Sequence, residues 1–168
     1  MIRDILKFQQ VFVDGRGYAG VASAIEVPKV EQVMRDYSAG GMGGGVEVPM
    51  GRLEKLTATI TFQGFAPELY THFGIAEGAV LPFTVRGSAE DGNGTTHSHV
   101  VKMRGLIKKI DEGEWKDGEE VPLKLDLSLR YYKRQRDGAD LIEADPVNMI
   151  FRVAGVDQLA AHRANIGL

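Results

Sequence analysis

His97 and His99 come closest in this sequence to a pair of metal ligands. On a strand, residues two apart share one face, so both imidazoles would point the same way. A zinc site needs a third and usually a fourth ligand. His72 and His162 are distant in the chain, and no carboxylate partner is suggested by the spacing. We therefore interpret the pair as surface histidines and predict neither a metal nor another cofactor.

Residues 15–20, Gly-Arg-Gly-Tyr-Ala-Gly, match the spacing G-x-G-x-x-G of dinucleotide sites. That chemistry needs a helix immediately afterwards, because the first backbone N–H groups of the helix bind the pyrophosphate. Residues 21–27 instead run into Pro28, and no βαβ pattern continues. A glycine-rich hairpin is the better interpretation.

Two further segments combine residue types found in active or binding sites. The first segment has four acidic residues near the single tryptophan, Trp115: Asp111, Glu112, Glu114 and Asp117. Two such carboxylates at a set separation are what a glycosidase needs. A polar loop is expected to be acidic in any case. The run Tyr131–Arg134 combines stacking and basic side chains, but on a strand its tyrosines point to opposite faces. With no cysteine and no Gly-x-Ser-x-Gly motif, we predict no catalytic residues and no enzyme.

Residues 38–45, Ser-Ala-Gly-Gly-Met-Gly-Gly-Gly, have almost no side chains with which to build structure. Ordering them costs about 1–2 kcal/mol per residue, and glycine loses the most freedom. No Gly-Lys-Ser/Thr follows, so the run is not a phosphate-binding loop. It is either a mobile surface loop or a contact loop that orders on a partner. Met42, an adaptable apolar side chain, favours the contact loop.

Composition bounds the fold and excludes some functions. The chain has 168 residues, 43% hydrophobic and 26% charged, which predicts one soluble domain over residues 1–168. Its net charge of −3 argues against a general nucleic-acid binder. The absence of cysteine excludes disulfides. The N-terminus lacks the apolar core of a signal peptide, so we expect synthesis in a cytoplasm.

Most of the chain is predicted to form strands. Residues 53–62 alternate between an apolar face and a threonine face: Leu56, Ala58, Ile60 and Phe62 against Thr57, Thr59 and Thr61. Residues 121–133 alternate in the same way: Leu123, Leu125, Leu127, Leu129 and Tyr131 against Lys124, Asp126, Ser128 and Arg130. Period two of this kind indicates half-buried strands.

Turn and breaker residues place the other elements. Asp14-Gly15 ends a first strand, and residues 18–27 are expected to return beside it; weaker strands are expected at 30–37 and 46–49. Residues 91–94, Asp-Gly-Asn-Gly, predict a hairpin from a strand opening at Leu81 to a return strand over 97–110. A strand over 141–153 is interrupted at Pro146. Short helices are expected from Pro67 to Phe73 and after a capping Asp157.

Two of the predicted strands are unusually long. Strands of thirteen or fourteen residues span roughly 43–46 Å, whereas five or six residues are usual. Long hairpins leave exposed edges that soluble proteins normally blunt. An assembly that pairs such edges between subunits would resolve the problem.

A set of short segments, in order and at their observed spacings, carries a family resemblance. The segments are Val27–Lys29, Tyr37–Met42, Met103–Gly105, Asp145–Asn148, Gly155–Leu159, His162-Arg163 and Asn165–Leu168. Together they resemble the major tail tube proteins of contractile-tailed bacteriophages, a family that includes the inner tubes of phage-tail-like bacteriocins. The resemblance covers essentially the whole chain.

The resemblance implies a mainly β fold, a β-sandwich or barrel with one or two short helices. It implies hexameric rings that stack into a hollow tube whose subunits share a continuous inner β-barrel. Such a tube encloses the tape-measure protein and passes DNA without specific binding. It contacts the sheath, baseplate and tail-terminator proteins, and it belongs to the virion after assembly in the host cytoplasm. A related fold occurs in type VI secretion tubes.

Within such a tube, two groups of residues acquire roles. The polar strand faces are predicted to line the lumen: Thr57, Thr59, Thr61, Lys124, Asp126, Ser128 and Arg130. An extended glycine-rich loop at about residues 38–50 is predicted to contact neighbouring subunits, through Tyr37, Gly40, Gly41, Met42, Gly43, Gly44 and Gly45. The alternatives are a bacteriocin or secretion-type tube carrying no DNA, an unrelated β-sandwich that binds a small ligand or glycan, and a hydrolase. Trp115 with scattered tyrosines makes a poor glycan platform, and a hydrolase lacks a nucleophile.

Overall fold

The computed structural model describes residues 3–18 and 20–168. Within them the chain forms strands and two short helices, which confirms the prediction of a mainly β fold. The strands are β1 (Ile5–Val13), β2 (Arg16–Gly17), β3 (Ala22–Glu26), β4 (Gln32–Tyr37), β5 (Val46–Leu53), β6 (Thr57–Gln63), β7 (Leu81–Glu90), β8 (Thr96–Asp111), β9 (Pro122–Arg136), β10 (Ala139–Asp145), β11 (Ile150–Val153) and β12 (Val156–Asp157). The helices are α1 (Pro67–Tyr70) and α2 (Ala160–Ile166). Neither helix is long and apolar enough to cross a membrane.

Six antiparallel strands in the order β3–β6–β9–β8–β7–β1 form the body of the molecule. The two outer strands approach each other, and Gln9 Nε2 donates a hydrogen bond to the Ser23 carbonyl at 3.2 Å. Strands β1, β6, β7, β8 and β9 contribute to one buried cluster, with side chains that include Val11, Ile60, Phe83, Met103 and Leu125. Because these strands bury their apolar faces together, the sheet curves around that core, and we call these six strands the barrel.

Strand β9 pairs with two different strands along one edge. Residues 122–128 pair with β6, whereas residues 132–136 pair with β10. Strands β11 and β12 follow β10 and extend the sheet beyond the barrel. The Leu129 amide donates to the Leu56 carbonyl at 2.9 Å, where one partner strand gives way to the other. Because β9 is 15 residues long, it can pair with two strands in succession along the same edge.

The alternation in β9 changes phase at Arg130. Arg104 pairs with Tyr131 and the next residue, Gly105, pairs with Leu129, so Arg130 is an extra residue in β9. Such a bulge moves the following side chains to the opposite face. Tyr132 is consequently the buried tyrosine, 4% exposed. Our assignment of Tyr131 to the apolar face was wrong because the sequence pattern does not reveal the bulge.

Several predicted elements are confirmed, with changed ends. The 91–94 hairpin joins β7 to β8, and Asp91 Oδ1 accepts the amides of Asn93 and Thr95 at 2.8 and 3.0 Å. Strands β8 and β9 are 16 and 15 residues long. The predicted interruption at Pro146 is present, because β10 ends at Asp145 and β11 begins at Ile150.

The pairing expected for residues 18–27 was wrong. Strand β3 pairs with β6, and only the two-residue β2 returns beside β1 across the turn at Asp14 and Gly15. Gly15 and Gly20 both have positive φ, 81° and 77°. A strand, not a helix, follows the glycine motif, and Ala19 of that motif lies outside the described residues. The strand expected over 53–62 also divides, because Leu53 ends β5 and Thr57 begins β6.

Both helix predictions needed correction. Helix α1 is a single turn that ends at Tyr70 instead of continuing to Phe73, and Thr71 Oγ1 donates to the Glu68 carbonyl at its end. Asp157 is not the N-cap of α2, a position occupied by Leu159. Its carboxylate accepts the Leu159 amide at 3.0 Å and binds Arg163 at 2.5 Å, so it fixes the helix through a side chain.

Gly105 is required by the β9 bulge. A Cβ at this position would lie 2.2 Å from the Ser128 carbonyl oxygen and 2.8 Å from the Leu129 Cα, both backbone atoms. We expect Gly105→Ala to lower the free energy of unfolding by about 3 kcal/mol, because overpacking against backbone cannot relax by a rotamer change. Urea unfolding measures this. The control is Gly43→Ala, whose Cβ would meet nothing within 4 Å, with an expected change within about 0.5 kcal/mol. Equal effects would contradict the packing argument.

Candidate assembly surfaces

Strands β4 and β5 form a separate two-stranded sheet that projects from the barrel. Tyr37 pairs with Val46, Arg35 with Val48, and Met34 with Pro49. Apart from Val33 and Leu53, which are half-buried, every residue of the two strands is exposed. An isolated hairpin is marginally stable in water, so this element lacks the packing that normally supports a sheet.

The glycine run forms the tip of this hairpin. Residues 38–45 connect the strands, and the Met42 amide donates to the Ala39 carbonyl at 3.2 Å. A Cβ at Gly40, Gly43 or Gly44 would meet nothing within 4 Å. The loop expected over about 38–50 was too long, because residues 46–50 are already in β5. The alternation of Val46 and Val48 with Glu47 already predicts a strand there.

One face of the hairpin is predominantly apolar. Because cross-strand partners share a face, Arg35, Tyr37, Val46 and Val48 lie together, and we name these four residues the apolar hairpin face. Tyr37, Val46 and Val48 are 55%, 51% and 41% exposed. The opposite face carries Asp36 and Glu47 along with Met34 and Pro49. Exposed apolar side chains in such a row mark an interaction surface.

The polar residues predicted to line a lumen form a continuous patch across β6 and β9. Thr57 pairs with Ser128, Thr59 with Asp126, and Thr61 with Lys124. Thr59 Oγ1 donates to Asp126 Oδ1 at 2.9 Å. Arg130 differs from the rest, because it is the bulge residue and binds Glu77 at 2.5 Å. The patch lies on the sheet face opposite the core, as the alternation predicts.

His97 is held by two carboxylates at one end of the β7–β8–β9 sheet. Its Nδ1 lies 2.8 Å from Asp137 Oδ2, and its Nε2 lies 3.5 Å from Asp91 Oδ2. These contacts, led by the hydrogen bond to Asp137, raise the pKa of His97 above 6.5. The pKa of Asp137 is lowered, first by the Ser98 amide and then by His97. The cluster therefore connects the β7–β8 loop to the β9–β10 turn.

His99 has a different environment. Arg134 Nη2 and His99 Nδ1 lie 2.8 Å apart, and burial followed by the Arg134 charge lowers the pKa of His99. The two histidines thus contact carboxylates and a guanidinium, respectively. In residues 3–18 and 20–168, no group of three or more His, Asp or Glu side chains is arranged to hold a metal ion.

The basic and aromatic run at 131–134 is engaged within the sheet. The Arg104 guanidinium lies 4.5 Å from the centre of the Tyr131 ring. Lys133 Nζ lies 3.2 Å from Asp140 and 3.6 Å from Glu143. The observed partners are those of cross-strand pairing, not of an open stacking platform.

The acidic loop over residues 111–117 contains Trp115, which forms an exposed aromatic pair that the sequence did not predict. The rings of Phe65 and Trp115 meet edge to face, 5.5 Å between centroids, and the two residues are 62% and 66% exposed. Tyr70 Oη donates to a carboxylate oxygen of Glu112. Fifty residues separate Phe65 from Trp115, so only the fold reveals their contact. We name Phe65, Tyr70 and Trp115 with Glu112 and Glu114 the aromatic patch.

The His97 cluster predicts a pH-dependent contribution to stability. Because folding raises the pKa of His97, its contribution is fully present below about pH 6.5 and is lost as the pH rises through the raised pKa. We expect His97→Gln to lower the urea midpoint most at about pH 5.5 and much less at about pH 8.5. His162→Gln, on the exposed helix α2, is the control. A His97→Gln deficit that grows with increasing pH would overturn the assignment.

Comparisons with known proteins identify relatives of this chain by sequence. The sequence model described as phage tail tube protein FII matches residues 3–167. The chain is 37% identical over 169 residues to the tail tube protein of Escherichia phage P2, covering 97% of this chain and 96% of that protein. It is 33% identical over 152 residues to the major tail tube protein of Serratia phage KSP20, covering 89% and 87%.

A solved structure shares the fold. It is a chain of the sheath/tube terminator of an extracellular contractile injection system, PVC, determined by cryo-electron microscopy in the extended state. The match has a TM-score of 0.56 and 12% identity, covering 76% of this chain and 92% of the other. The match to the family model over nearly the whole length and the two phage relatives identify the family: the chain belongs to the phage tail tube protein FII family.

Proposed function

We propose that this chain builds the tube of a contractile phage tail as hexameric rings that stack into a hollow conduit. The observation that carries the proposal is the β4–β5 hairpin, an exposed two-stranded sheet with an apolar face. Burying apolar surface contributes roughly 25 cal/mol per Å², and in a homopolymer the covering surface comes from another copy. Family membership supplies the reason to expect that partner.

The tip of the hairpin is the proposed contact loop. Tyr37 and Gly40–Gly45 reach the neighbouring subunit or the next ring, where glycines allow close backbone approach. Met42, 40% exposed, provides an apolar anchor at the tip. We propose that the loop is mobile in the free subunit and ordered in the tube.

The polar patch of β6 and β9 is proposed to line the lumen, with Thr57, Thr59 and Thr61 beside Lys124, Asp126 and Ser128. Arg130 is retained in this proposal, although Glu77 neutralises its charge locally. A continuous inner β-barrel would form if neighbouring subunits pair their strand edges. Threonines and mixed charges, in a chain of net charge −3, suit a wall along which DNA slides without being held by many cations.

Partners follow from the place of a tube in the tail. We propose that the tape-measure protein fills the lumen during assembly, that the sheath surrounds the tube, and that baseplate and tail-terminator proteins bind its two ends. The role is structural throughout, without catalysis. The family match over residues 3–167 supports a tail tube subunit over an unrelated β-sandwich or a hydrolase.

A second candidate is the inner tube of a bacteriocin or injection particle that carries no DNA. The fold shared with a component of an extracellular contractile injection system favours it. Neighbouring genes discriminate between the two, because a gene cluster for such a particle lacks capsid genes.

Electron microscopy of the purified full-length protein at increasing concentration tests the function. We expect rings or tubes with a central channel, because ring closure followed by stacking satisfies the exposed surfaces. A reconstruction should place Thr59 on the channel wall. A compact monomer at every concentration would contradict the tube, and Thr59 on the outer surface would contradict the lumen assignment.

Hydrogen exchange tests the contact loop. In a monomer verified by sedimentation, the Gly40–Gly45 amides should exchange at close to the rate of an unstructured chain. In tubes they should slow by at least about tenfold, equivalent to about 1.4 kcal/mol of local protection. The Leu125 amide, in the core of β9, is the control and should be protected in both states. Strong protection of Gly40–Gly45 in the monomer would show that the subunit orders the loop without a partner.

A further inference from the structure

We propose that the apolar hairpin face of one copy docks on the aromatic patch of a copy in the adjacent ring. The inference rests on the proposed tube function and names the receptor for the hairpin.

The two surfaces lie at opposite ends of one strand. Glu26 at the end of β3 pairs with Thr59, so both connections to the hairpin leave near the start of β6. Phe65 follows Gln63, the last residue of β6, and the Gly64 amide donates to the Val121 carbonyl at 2.9 Å beside the start of β9. Seven strand residues separate these ends by roughly 20 Å. Surfaces at opposite ends make a head-to-tail contact, which propagates as a stack.

Both surfaces expose apolar side chains of the types that dominate interfaces. Phe65 and Trp115 leave more than half of their area in solvent, and Tyr37 and Val46 do so on the hairpin. The edge-to-face contact orients the two rings against each other, which reduces the freedom that they lose on binding. Tryptophan and tyrosine are enriched among the residues that contribute most to binding. Covering the aromatic patch would therefore supply much of the contact.

Charge selects the hairpin face that fits. Residues 111–120 carry six carboxylates and one lysine around Trp115. The apolar hairpin face carries Arg35, whereas the opposite face carries Asp36 and Glu47. The acidic face would meet like charge at the patch, while Arg35 would meet opposite charge. Such complementarity sets the orientation of docking more than its strength.

The fluorescence of Trp115, the single tryptophan of the chain, tests whether the patch is covered. Tubes of full-length protein without sheath are compared with free subunits. We expect a blue shift of the emission and a several-fold fall in acrylamide quenching, because the indole moves from water into an interface. Tubes in which Trp115 is quenched as strongly as in subunits would overturn the inference and leave the tube function standing. Failure to form rings or tubes would instead overturn the function.

Matched variants test whether the hairpin is the occupant. Val48→Asp changes the apolar hairpin face, and Met34→Asp makes the same kind of change on the opposite face; the two residues are 41% and 42% exposed. We expect Val48→Asp to raise the critical concentration for tube growth by about thirty-fold and Met34→Asp by less than about threefold. Circular dichroism and urea midpoints show that both variants fold. Equal effects of the two variants, even with Trp115 covered, would overturn the assignment of the hairpin face.

Discussion

The pairing of β8 with β9 is the interaction on which the rest of the structure depends. These two strands, 16 and 15 residues long, run through the centre of the sheet. The opposite edge of β9 supports β6 over one half and β10 over the other. A shift of one residue between β8 and β9 would reverse the core and polar faces together. The bulge at Arg130, accommodated by Gly105, lets both halves of β9 keep an apolar face despite its changed phase.

The arrangement of strands around β8 and β9 determines which apolar residues are buried and which are exposed. The barrel buries Ile60, Phe83 and Leu125 completely, so its core is satisfied within one subunit. The apolar hairpin face and the aromatic patch lie outside that core. Soluble monomers normally avoid such surfaces and protect free strand edges. In the tube that we propose, both surfaces would be covered by neighbouring copies, since every copy offers both.

Polar side chains secure the ends of the elements. Asp91, His97 and Asp137 connect two loops at one end of the sheet. Asp157 connects β12 to α2 through Arg163. Those carboxylates accept backbone amides as well as charged side chains, and their pKa values are lowered accordingly. His97, considered above as a metal ligand, contacts two carboxylates within the fold. Lys133, considered above as part of a stacking and basic patch, contacts Asp140 and Glu143.

The sequence by itself determined the mainly β class, the alternating faces of β6 and of β9 up to Leu129, the 91–94 hairpin and the family. The strand faces and the hairpin are local patterns, in which period two and turn residues report directly on the backbone. The family resemblance rests on short segments in order along the whole chain. Only the tertiary structure decided that β3 pairs with β6, that Arg130 is a bulge, and that Phe65 meets Trp115. Each of these depends on which distant strands lie side by side, and the free energy that selects them comes from packing across the barrel. No short stretch of sequence carries that information.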